Sequence, residues 1–110
     1  MTTSDEILSQ RIQAELKDLP GLVTKKMFGG VGFLIQGNMA CGVHKGSLIV
    51  RVGPGKYEQS LAQPNTRAFD MTGHPMAGWI VVDPPGFDLQ EDLHRWIWEG
   101  VEFARTLSPK

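Results

Sequence analysis

At 110 residues, with eleven basic and twelve acidic side chains for a net charge of −1, the chain has room for one domain, residues 1–110, and a modest core; it lacks the basic excess on which a dedicated nucleic-acid-binding domain relies, which excludes strong direct binding to nucleic acid. Its lone cysteine, Cys41, excludes an internal disulfide and suits a reducing compartment. No apolar run reaches membrane-spanning length and Met1 to Ser4 does not begin a signal peptide, so the expected location is the cytoplasm, away from membranes.

Thr3 and Glu6 stand at the spacing of a capping box. Ile7, Leu8, Ile12, Leu16 and Leu19 then fall on one helical stripe, which predicts a helix ended by Pro20-Gly21. From Thr24 the period changes. Phe33 to Gln36, Met39 to His44 and Leu48 to Val52 are short apolar or β-branched runs separated by Gly37-Asn38 and Lys45-Gly46, pairs that tolerate positive φ. Runs joined by two-residue turns must be antiparallel, because a parallel pair needs a long crossover. Met27-Phe28 is expected to begin this meander.

Gly53-Pro54-Gly55 breaks the third run, and a short helix is expected through Tyr57 and Leu61, up to Pro64-Asn65. Arg67 to Met71 reads as a strand, Thr72 to Gly78 as a loop, and Trp79 to Val82 as a strand closed by Asp83-Pro84-Pro85-Gly86. The last helix has the strongest pattern: Leu89, Leu93, Trp96, Ile97, Gly100, Val101, Ala104 and Leu107 recur at spacings of three and four, with Asp88 as the expected cap and Glu91 completing its box. Gly100 and Ala104 on that stripe would let the helix lie close to what it covers. This order points to an α+β two-layer sandwich, an antiparallel sheet of five or six strands with N- and C-terminal helices.

Lys25-Lys26-Met27-Phe28-Gly29-Gly30-Val31-Gly32 is the most unusual stretch. Three glycines ahead of an apolar run indicate a sharp bend or bulge between two strands. A phosphate-gripping loop fits less well, since the spacing is not that of a dinucleotide fingerprint and no Gly-Lys-Ser/Thr follows. Phe33-Leu34-Ile35, Leu48-Ile49-Val50 and Ile80-Val81-Val82 are apolar on both faces, whereas a sheet wet on one side alternates. Two full helices cover one face and the short helix part of the other, which leaves an association surface, and Trp98 lies off the main stripe of the last helix. The expectation is a homodimer burying roughly 800 Å² per partner.

Candidates for chemistry are few. His94 lies beside the apolar stripe of the last helix, His44 ends a strand, and His74 precedes Pro75 in a loop. Cys41 and His44 are three apart on one strand and point to opposite faces, and no pair has zinc-ligand spacing. Cys41 reads as a small buried hydrophobe. Ser47, Ser60 and Ser108 lack a nucleophile elbow. No catalytic set, metal or cofactor is expected, and the chain is read as not an enzyme. Lys25, Lys26, Arg51, Arg67 and His74 remain as candidate binding residues for an acidic partner or phosphate. Two competing readings are a small-ligand or nucleotide-binding domain, with the Gly29 to Gly32 bend and Arg51 at its site, and a hydrolase using His74.

Met27-Phe28-Gly29-Gly30-Val31-Gly32, the Gly37-Asn38-Met39 turn, Met76-Ala77-Gly78-Trp79-Ile80-Val81-Val82 and the terminal helix together resemble the TfoX/Sxy N-terminal domain family, over roughly Ile7 to Leu107. The resemblance implies an α+β sandwich similar to type III secretion chaperones, which often dimerise. It also implies kinship with regulators of natural competence that act with the cyclic-AMP receptor protein at promoters and carry a second, C-terminal domain. No catalytic residues carry over. What transfers is Met27, Phe28, Gly29, Gly30 and Gly32, with Gly78 and Trp79, as a structural motif. The expected function is that of a small interaction module, regulatory through protein–protein association, with a partner in the transcription machinery.

Overall fold

Tight turns set the first half of the sheet. Gln36 and Gly37 (φ 52° and 88°) and Lys45 and Gly46 (φ 48° and 80°) both supply the paired positive φ that twists a two-residue hairpin correctly. The computed structural model describes residues 4–27, 29–70, 73 and 76–110, with backbone alone for Ser4 and Met27. In it, β1 (Leu22–Met27), β2 (Gly30–Ile35), β3 (Asn38–His44) and β4 (Ser47–Arg51) form an antiparallel meander. After a 3₁₀ turn at Pro54–Lys56 come α2 (Tyr57–Leu61), β5 (Thr66–Ala68) and β6 (Trp79–Val82), with α1 (Ser4–Leu16) at the start and α3 (Gln90–Arg105) at the end. The sheet order is β1-β2-β3-β4-β6-β5. The last hairpin therefore joins in reverse, with β6 against β4 and β5 at the edge.

Register assigns the faces, because residues paired across strands point the same way. Thr24, Phe33, Cys41, Val50, Ile80 and Ala68 form one row across all six strands, and Lys26, Val31, Val43, Leu48, Val82 and Thr66 another. Phe33, Cys41, Val43, Leu48, Val50, Ile80 and Val82 from these rows join Leu8, Ile12 and Leu16 of α1 and Leu93, Trp96, Ile97, Val101 and Ala104 of α3 in one core. Tyr57 and Leu61 pack on the same cluster. The short helix is therefore on the side of the other two, not on the second face. Burial of the apolar stripe against the sheet stabilises α3 far more than its intrinsic propensity does.

The register slips between Phe33 and Leu34, so that Ala40 is an extra residue in β3. A bulge bends its strand. The Ala40 carbonyl faces α3 at Gly100, where a Cβ would collide with it. The small residue in the stripe is what lets the helix close on the sheet.

Several local expectations need correction. The first turn is Gln36-Gly37, so Asn38 starts β3, buried, and its Nδ2 donates to the Ser108 carbonyl at 2.9 Å. The meander starts at Leu22, which puts Lys25 and Lys26 inside β1 instead of ahead of it; charged side chains survive there because β1 is an edge strand. β5 stops at Ala68, α1 ends at Leu16, and Ile7 is exposed. Asp88 does not cap α3: the cap residue is Leu89, which is 61% exposed, and no side chain satisfies that end. The Asp88 and Phe87 carbonyls instead accept from Arg11 Nη2 at 3.1 and 3.0 Å. Trp98, though off the main stripe, is half-buried against the core, and its indole N–H has no partner among the described residues. The Thr3 cap lies outside the described residues, as do Met71 and Thr72.

Candidate functional site

The second face of the sheet carries the other parity of each strand. Lys25, Gly32, Gly42, Ile49, Val81 and Arg67 make one row from edge to edge, and Arg51 pairs with Trp79 beside it. Ile49 and Val81 are only 5% and 4% exposed, yet neither belongs to the helix-side core. The centre of this face is thus already sheltered within the chain. Around it Leu34, Met39, Phe69 and Trp79 are half-buried, and Val23 on β1 is 50% exposed. Among the described residues no helix lies over the centre of this side; α3 reaches only its margin, where Phe103 meets Arg51.

Five strand steps of about 4.8 Å separate Lys25 from Arg67, so the two lie on the order of 24 Å apart. Lys26 points to the opposite side, into a cleft of about 690 Å³ between α1 and the β1–β2 hairpin, with Asp5, Ser9, Gln10 and Gly30 also in its walls. The basic residues do not converge on one anion. Nor do the glycines meet Arg51: Gly30 and Arg51 lie in opposite directions from the Gly32–Gly42–Ile49 row. His74 and Phe28 lie outside the described residues.

Arg51 is held by aromatic rings. Its guanidinium carbon lies 5.0 Å from the centre of Trp79 and 5.3 Å from that of Phe103, and Phe69 tilts against Trp79 at 6.1 Å. Ring faces attract such a cation while its aliphatic stem covers apolar surface. No carboxylate among the described residues pairs with it. Trp79 is positioned from its own backbone: Gly78, at φ 92°, turns its carbonyl to accept from the amides of Val52 and Gly53 at 2.9 and 3.0 Å, pinning the start of β6 to the end of β4.

Arg67 is engaged differently. Its Nε donates to Asp83 Oδ2 at 2.8 Å, and Ser47 Oγ donates to Asp83 Oδ1 at 2.6 Å. The hydrogen bond from Arg67, followed by that from Ser47 and the attraction of the guanidinium, holds the Asp83 carboxyl below the usual carboxylate range despite the opposing effect of burial. Sequence reading missed this trio. Strand parity held the signal, since Asp83 continues the face of Val81, and Val81 pairs with Arg67. A cleft of about 350 Å³ opens beside Arg67, with Ile49 and Val81 at its base and His44, Lys45, Arg67, Phe69 and Asp70 around it.

The remaining candidates are structural in their surroundings. Gly29, at φ 77°, makes the β1–β2 turn, and a Cβ on Gly30 would strike the Val43 carbonyl. Cys41 is buried on the helix side, and burial pushes its thiol up to about 12. No group of three or more His, Cys, Asp or Glu among the described residues is arranged to hold a metal ion. His94 contacts Glu15, tying α3 to α1.

Compared with known families, residues 14–104 match the family model described as TfoX N-terminal domain. The chain belongs to that family. The match covers β1 through nearly all of α3, so the glycine hairpin, the Gly78-Trp79 start of β6 and the outer face all fall inside the TfoX N-terminal domain. No curated protein and no solved structure matches the chain. No helix of the described residues is long and apolar enough to cross a membrane.

Proposed function

We propose that this TfoX N-terminal domain is a non-catalytic interaction module of the cytoplasm that works by holding a protein against the outer face of its sheet. The supporting observation is the one-sidedness of the fold: among the described residues all three helices pack on one core, while the other face presents Trp79, Phe69, Val23 and an Arg51 that no described carboxylate pairs with. Arg and Trp are the residues that most often anchor protein interfaces. In keeping with the resemblance to competence regulators, the role is regulatory, with a partner in the transcription machinery. The association reading is open to two occupants, a different protein or a second copy of the chain.

The edges fit the reading less well than the face does. β5 is only three residues long, and β1 carries two lysines, both devices that discourage strand addition. The test is capture from native lysate by tagged wild type and by Trp79→Ala, both verified as folded by circular dichroism. A protein held by wild type and lost from the variant, or a dimer by light scattering that Trp79→Ala dissolves, supports the reading. Capture indifferent to Trp79, or none from a chain that stays at 12.2 kDa, overturns it.

A further inference from the structure

The charge of the molecule is divided between its two layers. Among the described residues, the three helices hold eight of the twelve acidic residues and three of the eleven basic ones, whereas the six strands hold four basic residues and no acidic one. Three of those four, Lys25, Arg51 and Arg67, point to the outer face, and Lys45 stands on the rim of the cleft floored by Ile49 and Val81. Asp83 offsets Arg67, and Asp70 sits on the same rim; Arg51 faces no described carboxylate. A nearly neutral chain thus has a basic sheet backed by an acidic helix layer.

Resting on the association reading above, we infer that the outer face takes an acidic segment of a different protein, one that interleaves carboxylates with apolar side chains, and not a second copy of this chain. Two such faces pressed together would bring four cations, Lys25, Lys45, Arg51 and Arg67, with only the two carboxylates of Asp70 and Asp83 among them, against their own kind, and the excess of like charge across the interface disfavours that pairing. An alternating acidic and apolar segment matches what is there: partly exposed apolar side chains at Val23, Leu34, Met39, Phe69 and Trp79 around the sheltered Ile49 and Val81, cations among them, and Arg51 flanked by Trp79 and Phe103. At physiological salt a field reaches only about 8 Å. A short segment lying on the face therefore senses the sheet's cations more than the helices behind it. A nucleic-acid strand gains nothing from the aliphatic side chains, and where it runs past the sheet it meets the acidic layer.

The probe is a short fluorescein-labelled peptide alternating glutamate and leucine, titrated with the full chain and read by anisotropy. Its lysine–leucine counterpart and an oligouridylate of the same length are run beside it. The acidic peptide binds, the other two do not, and raising salt weakens it. Arg51→Glu lowers the affinity about tenfold, as does Lys25→Glu at an exposed edge position where folding is not at stake, while Lys17→Glu outside the face changes nothing. Equal binding of the basic peptide, tighter binding of the oligouridylate, indifference to both charge reversals, or no binding of the acidic peptide overturns the inference. A dimer that Arg51→Glu dissolves also overturns it but leaves the association reading intact. That reading falls separately, on capture that ignores Trp79.

Discussion

Two neighbouring glycines in the β1–β2 hairpin do different work, and substitution separates them. Gly29 needs its positive φ but has open space where a Cβ would go, so Gly29→Ala should cost about 1 kcal/mol, a strain of backbone alone. Gly30 is where the Val43 carbonyl of β3 comes closest, and Gly30→Ala must push two paired strands apart. We expect its cost to exceed that of Gly29→Ala by at least about 1 kcal/mol, in the range of overpacked cores, as read from urea midpoints at constant slope. Cys41 gives a second prediction. Fully enclosed on the helix side, it should react with an aromatic disulfide reagent only as fast as the chain opens, and fully in urea. Its folded value is raised to about 12 while the unfolded thiol ionises near about 8.5. The linked stability is therefore intact below the unfolded value and declines as pH rises through that window, because only the unfolded chain releases the proton. A thiol that labels at the same rate with and without urea would contradict the placement.

Elements were readable in the chain to the degree that their signals are local. The stripe of α3, the turn pairs and the Pro20-Gly21 stop depend on neighbours within four residues, and all three elements stand close to where the pattern puts them. What was hidden is pairing at a distance: that β6 enters beside β4, that Arg51 meets Phe103 of α3, and that Asp83 joins Ser47 to Arg67. β1 was half missed because a lysine-bearing edge strand lacks the apolar alternation that marks strands. The Asp83 trio links the β3–β4 hairpin to β5 and carries its own prediction. The folded carboxyl titrates below its unfolded value, so its contribution is present above the ordinary carboxylate range and is lost as pH falls through the folded value. Melting curves of wild type and Asp83→Asn should differ at neutral pH and converge in acid. The effect is modest, because both partners of the ion pair are more than a third exposed. A constant gap between the two curves down to acid would refute it. At the helix–sheet contact, Gly100→Ala drives a methyl against the Ala40 carbonyl; a loss of about 1–3 kcal/mol is expected, with retained helicity by circular dichroism.

At the scale of the whole molecule, the open sheet of the described residues has two edges and one face with no helix over its centre, and each is an invitation to associate. The chain closes the invitation at its edges. β5 offers three residues, too few to template a partner strand. β1 offers six, and two are adjacent lysines whose side chains emerge on opposite faces. Any strand docking there would have to accommodate a cation above and below the sheet, and a second copy of β1 would add its own pair of like charges. If this is why the edge stays free, removing the charges while keeping strand propensity should release it. Lys25→Val with Lys26→Val leaves a six-residue β-prone edge, Leu-Val-Thr-Val-Val-Met, of the kind that adds strands from other chains. The double variant should fold, since neither lysine belongs to the core, and should then gain mass with time and concentration in light scattering, with rising β signal in circular dichroism. Single restoration of either lysine should slow the gain. Wild type under the same conditions should show no growing species, whatever its outer face binds. Should the double variant remain as unassociated as wild type, the lysines do not guard the edge, and β1 gives no reason for association to belong to the face.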